Sequence, residues 1–284
     1  MFQEDYDNST YWVDIHKGFY GALRAVGWPT LSEEFNKLKY RSEQESFLQV
    51  LDRAPGVAES RSILELGVGI GYWTALQLEY FRRKGLSCRI TALDISPSAL
   101  ELVKQAFPEI TAVTADLKTI DVDKYKEQHD LVTAIMVLLH LTDFDAYSHA
   151  LTFCARSLKK GGHLILYEPR LNKNYSPFAS IDYDSFTGNS IPRNANLVDN
   201  VLGNLGMRKI FLLPGASWLL NSPIQSDTKF AFWLKQRMWL LVTRLVYKNE
   251  ARTRKLANFF IAFDRLLKSR NPDSGTFVLY EKVT

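Results

Sequence analysis

Three glycines and four titratable side chains stand out in this 284-residue chain for their types and spacing. Glu65-Leu66-Gly67-Val68-Gly69-Ile70-Gly71 joins a short apolar run to a helix-like segment over 72–80. Glycines at such a junction permit backbone angles that a Cβ forbids and let a ligand approach the main chain. The helix that follows offers unpaired N–H groups and a positive dipole end. A carboxylate at Glu65 suits a ligand bearing a cationic amine and would repel a pyrophosphate. Asp94 lies 23 residues after Gly71, at the carboxyl end of the next apolar run. There it can accept hydrogen bonds from both ribose hydroxyls of an adenosine; the alternative is a plain helix cap. Asp116 ends a third run and His140 follows a fourth. Imidazole titrates near neutrality, so His140 can take a proton from a hydroxyl or serve as a structural cap.

The elements that must hold these residues alternate regularly from Arg61 onward. Strands are expected at 62–66, 88–94, 110–114, 129–136 and 163–168, with helices between them. Ser96-Pro97-Ser98 starts one helix. Lys159-Lys160-Gly161-Gly162 reads as the end of another, with cations and then glycine. Residues 170–195 form a polar, aromatic loop across the mouth of the site. A helix over 197–205, a strand over 207–213 and a last strand over 275–282 complete the pattern.

Glu-Leu-Gly-x-Gly-x-Gly resembles motif I of the class I S-adenosylmethionine-dependent methyltransferases. With Asp94, Asp116, His140 and Leu-Lys-Lys-Gly-Gly following in order, residues 60–170 are identified as similar to that family. The resemblance implies an α/β, Rossmann-like, seven-stranded sheet with its last strand inserted antiparallel, and S-adenosyl-L-methionine as cofactor. The cofactor residues it implies are Glu65, Gly67, Gly69, Gly71, Asp94, Ile95, Asp116, Leu117 and Met136. Asp116 would meet the adenine amino group, and Arg41 would pair with the methionine carboxylate. His140 is then the candidate base, and Tyr11, His16, Tyr20 and Asp182 are candidates for the acceptor side.

Composition narrows the function. An apolar content of 46% and a charged content of 23% suit a soluble globular chain. Two cysteines, Cys88 and Cys154, make neither a disulfide framework nor a zinc site, and no metal-ligand cluster is seen. The acidic start of the chain lacks an apolar core and no run of 18 apolar residues occurs, so a cytoplasmic protein is expected. Residues 1–60 read as a helical, aromatic-rich cap, whose rings either pack onto the domain over 61–284 or roof a pocket. Within that domain, 225–270 reads as a basic helical insertion. Between 229 and 270, eleven Lys/Arg face two acids, a net +9, against −5 for the remainder. Such a segment is either a solvated cap or a surface for peripheral membrane contact.

Neither Asn-Pro-Pro-Tyr nor Pro-Cys follows the fourth strand, which argues against a nucleic-acid acceptor. The expected activity is O- or N-methylation of a small-molecule or lipid/sugar-linked acceptor, in natural-product or glycoconjugate biosynthesis. The alternatives are a non-catalytic scaffold subunit of this fold and an NAD-dependent oxidoreductase. The sequence leaves the oligomeric state open.

Overall fold

In the computed structural model, which describes residues 7–181, 188–268 and 272–284, the alternation folds into one mixed sheet. β1 (Ser62–Leu66), β2 (Arg89–Asp94), β3 (Thr111–Thr114), β4 (His129–Ile135) and β5 (Leu158–Leu171) run parallel. β6 (Arg193–Asn194) pairs briefly with the end of β5. β8 (Gly275–Lys282) lies antiparallel between β5 and β7 (Met207–Pro214), giving the order β3-β2-β1-β4-β5-β8-β7. The order reverses at β1, which pairs with β2 on one side and β4 on the other. Loops leaving β1 and β4 therefore diverge and open a crevice at the strands' carboxyl ends.

Alternation along the strands sends side chains to two cores. Ile63 joins rings of α3 (Tyr72–Arg83) and Val103 of α4 (Pro97–Ala106), with Phe47 and Val50 of α2 (Glu33–Arg53). Leu64 and Leu66 face Phe153 of α5 (Phe144–Ser157) and Val198 of α6 (Ala195–Asn204).

One boundary differs from the sequence reading. Lys159–Gly162 does not end a helix, because β5 begins at Leu158 itself. Leu158 pairs with His129, and after an irregularity His163 pairs with Leu131. The Lys282 ammonium donates to the Leu158 carbonyl (2.8 Å), so strand pairing and a side chain satisfy what another helical turn would have bonded.

A third core joins distant parts of the chain. The insertion before β8 forms α7 (Lys229–Val242) and α8 (Glu250–Leu267), linked through a π-helical turn at Thr243–Tyr247. Phe35 of α2 packs on Tyr247 (4.5 Å between centroids) and on Trp239 (5.8 Å), and Phe260 closes on Tyr247 (5.1 Å). Glu250 accepts from the N–H groups of Glu33 (2.8 Å) and Glu34 (3.0 Å), capping the positive end of α2 with an anion. α1 (Asn8–Gly18) lies against α4, over the mouth of the crevice.

Candidate active site

After β1 the chain turns through the glycines into α3. Gly69 sits at φ +53°, and a Cβ there would lie 2.7 Å from Val26 Cγ1, so only glycine fits between sheet and N-terminal segment. The turn is tied to β2. Gly67 N–H donates to the Leu93 carbonyl (2.8 Å) and Gly69 N–H to Asp94 Oδ2 (2.8 Å). Ser96 N–H donates to Asp94 Oδ1 (2.8 Å). Both carboxylate oxygens are thus held by backbone N–H groups, and the carboxylate retains capacity to accept from a ligand hydroxyl. Burial raises the Asp94 pKa, and the N–H groups of Ser96 and Gly69 oppose that rise.

The cavity runs from this loop past Ile95, Asp116 and Leu117 to Met136 and His140. Asp116 Oδ1 accepts from Lys118 N–H (2.9 Å), which orders the turn after β3. From α1, Trp12 and His16 close over it. His16 is 4% exposed, and neither ring nitrogen has a hydrogen-bond partner. Burial lowers its pKa, and the nearby Asp94 pulls it back up. A buried, unpartnered imidazole beside a carboxylate suits a polyhydroxyl ligand that can bond both.

Past β4, Met136 adopts φ +53°, costly for a residue with a side chain, and its N–H donates to the Tyr167 carbonyl (2.7 Å). That kink leads into the short turn Leu138–His140. His140 Nδ1 lies 2.6 Å from the Asn189 carbonyl, an acceptor only, so Nδ1 carries the ring proton and Nε2 keeps its lone pair. Burial lowers the His140 pKa to about 4, against the pull of the Asn189 and Met136 carbonyls. Trp12 meets the ring edge-on at 4.6 Å.

His140, Met136, Trp12 and Val26 also line a second cavity of about 520 Å³, within the usual size of a small-molecule site. Its other walls include Trp28, Phe178, Asn221 and, from α7, Phe232 and Gln236. Lys39 is the one formally charged side chain lining it among the described residues. Its ammonium pairs with Glu43 (2.7 Å), whose carboxylate also accepts from the Tyr167 hydroxyl (2.5 Å).

The fold brings Gly67, Gly69, Asp94, Ile95, Asp116, Leu117, Met136 and His140 to one cavity. Several expectations need correction. Glu65 is buried behind the loop, because strand alternation turns it towards α3. Its Oε2 accepts from Thr74 (2.8 Å) and Gln77 (3.1 Å), and burial pushes its pKa up to about 8. Gly71 caps α3 and faces Phe107 and Val103 of the α4 region rather than the cavity. Arg41 is exposed on α2 and lines neither cavity, since the inward face of that helix is taken by Tyr40 and Phe47. His16, expected on the acceptor side, lines the first cavity beside Asp94 and not the second. Tyr11 lines the second cavity, whereas Tyr20, just past the end of α1, is exposed to solvent. Asp182 lies outside the described residues. Trp12, Val26, Tyr40 and Asn189 also line these cavities. Trp12 and Tyr40 belong to the aromatic-rich segment over 1–60, whereas no local signal in the sequence marks Val26 or Asn189.

Comparison with known proteins agrees with this architecture. Residues 63–162 match the profile of a methyltransferase domain. A ubiquinone biosynthesis O-methyltransferase of Photorhabdus laumondii is 28% identical over 152 residues, 52% of this chain. The chain spans 59% of that relative's length. A putative sarcosine dimethylglycine methyltransferase from Galdieria sulphuraria superposes with a TM-score of 0.52 at 15% identity, covering 97% of this chain and 98% of the other. The N-methyltransferase NodS of Bradyrhizobium japonicum, in complex with S-adenosyl-L-homocysteine, gives 0.50 at 15% identity, with 87% and 88% covered.

Proposed function

We propose that the chain is a class I S-adenosylmethionine-dependent methyltransferase, a reading that the methyltransferase-domain match over residues 63–162 supports, and that it methylates an oxygen or nitrogen of a small-molecule or lipid/sugar-linked acceptor held in the second cavity. The cofactor supplies an electrophilic methyl group, already activated by its sulfonium. Two features of the chain fit it: a glycine turn that Val26 leaves no room to widen, and a buried Asp94–His16 pair with unspent hydrogen-bonding capacity. Asp94 and His16 would hold the ribose hydroxyls, while Ile95, Asp116 and Leu117 would flank the adenine.

One observation carries the reading of the acceptor side: His140, with its proton on Nδ1, lines both cavities at once. Its Nε2 can take the proton of an acceptor hydroxyl as the methyl group arrives. No carboxylate among the described residues lines the second cavity to receive a cationic amine, which favours a neutral or acidic acceptor. With a pKa near 4, His140 stays neutral and ready to accept a proton throughout the physiological range.

Labelled methyl transfer into candidate acceptors tests this. His140→Ala should lower kcat by about 10²-fold, the lower end for a positioned base, because a weakly basic imidazole takes the proton less readily. Cofactor affinity should hardly change. The acid limb of kcat/KM attributable to His140 should fall near pH 4. A limb near 6.5 that survives His140→Ala, or full activity of the variant on an aliphatic alcohol, would remove His140 from this role.

A further inference from the structure

The insertion has two faces of opposite character. Trp239 points inward to Phe35 and Tyr247. On the far side of α7, Phe230, Trp233, Leu234, Met238 and Leu241 stand in solvent at spacings of three and four, one stripe along the helix. Phe230 is 72% exposed and Trp233 51%. α8 carries a second stripe, Leu256, Phe259, Phe263 and Leu266, with the last 79% exposed and the two phenylalanines stacked at 5.7 Å. Soluble surfaces rarely leave such runs of large apolar side chains uncovered.

The cations around these stripes decide what covers them. Lys229, Arg237, Arg244, Lys248 and Lys255 are exposed, and none lies within ion-pair distance of an acid among the described residues. Arg237 rests over the Trp233 ring at 5.5 Å. A second copy of this chain would bring one net +9 segment against another, which repels. An anionic lipid surface satisfies both halves of the pattern, with headgroup phosphates for the cations and the acyl boundary for the rings.

From this pairing we infer that α7 and α8 dock the protein on an anionic bilayer. Trp233 is the interfacial anchor, and the Phe230–Leu241 and Leu256–Leu266 stripes enter the headgroup–acyl boundary. The consequence for chemistry rests on the methyl-transfer reading. Phe232 and Gln236, on another side of α7, line the second cavity. Docking would hold that cavity beside the bilayer, where an amphiphilic acceptor partitions.

Cosedimentation with phosphatidylglycerol–phosphatidylcholine vesicles, without cofactor or turnover, tests the docking, so its failure and that of the methyl-transfer reading are separable. The wild-type chain should bind at low salt, more weakly to pure phosphatidylcholine and more weakly at 10-fold higher salt. Each cation at the surface is worth roughly fivefold in partitioning, so Arg237, Arg244 and Lys248 changed together to Gln should weaken binding on the order of 100-fold. Phe230, Trp233 and Leu241 changed to Ser should weaken it further at high salt, with cofactor affinity and melting temperature retained. Absence of binding to anionic vesicles at low salt would overturn the inference. So would a dimer that the serine variant converts to monomer, which would assign the face to a contact between copies.

Discussion

The sheet end that forms the first cavity and the aromatic core under α7 and α8 are built on opposite plans. The cavity is made largely of main chain. Its loop is set by N–H groups of Gly67 and Gly69 bonding Leu93 and Asp94, and by a glycine conformation at Gly69. The aromatic core is made of side chains from segments about 200 residues apart. Phe35 meets Trp239 and Tyr247, Ser42 donates to Asp264 (2.5 Å), and Arg265 bridges to Glu45 (2.6 Å). A binding loop of the first kind tolerates no added atom, whereas a core of the second kind loses stability in proportion to the atoms removed. Damage to one should therefore read out in affinity and damage to the other in folding.

The sharpest break is Gly69→Val. The backbone sits at positive φ, and the new Cβ must displace Val26. S-adenosylmethionine binding should fall below calorimetric detection while the far-ultraviolet spectrum persists. Normal affinity would mean that this turn is not the cofactor cradle. On the other side of the comparison, Trp239→Ala should cost about 3–5 kcal/mol in urea unfolding, the usual range for emptying a buried aromatic site. Cofactor affinity, measured where the variant is folded, should stay within about threefold. A tenfold loss would join the two regions energetically.

Asp94→Ala has a smaller expected effect. It removes a carboxylate bonded to Gly69 and Ser96 N–H, along with its capacity to accept ligand hydroxyls. Affinity should drop by about 10- to 100-fold, equivalent to about 1.5–3 kcal/mol for a charge-assisted contact. His16→Ala should weaken binding less, with KM for the acceptor unchanged. A change confined to the acceptor would return His16 to the acceptor side.

The same contrast explains what the sequence made legible. The alternation from Arg61 to Gly162, the glycine turn and Asp94 depend on neighbours within a few residues, so spacing alone located them. The antiparallel entry of β8 came from family resemblance, and pairing with both β5 and β7 bears it out. Arg41 failed because a polar residue on a helix can face either way, and only the placement of Tyr40 and Phe47 inward decides it. Asn189 was invisible because it acts through a backbone carbonyl, 49 residues from His140. The role of Glu250 was unreadable for the same reason of distance: its carboxylate accepts from the N–H groups of Glu33 and Glu34 at the start of α2.

Glu65 tests the boundary between the two plans, because it belongs to the motif but not to the cavity. Counting along β1, Glu65 shares the side of Ile63, which packs against α3, and its carboxyl bonds Thr74 and Gln77 there. Oε1 has no partner, and burial holds the pKa near 8 rather than the ordinary 4.5. The folded state therefore binds this proton more tightly than the unfolded chain does. Below about pH 4.5 both states are protonated and the contribution to stability is full. As pH rises towards 8, the unfolded chain ionises first, and stability is lost across that window. Glu65→Gln keeps the shape and cannot ionise. Its melting temperature relative to wild type should rise steadily between pH 5 and 8, while S-adenosylmethionine affinity moves by less than about threefold. A tenfold loss of affinity would mean that the carboxylate reaches the ligand, as its position before the glycines first suggested. A stability difference that ignores pH would mean that the carboxyl is already ionised in the folded chain.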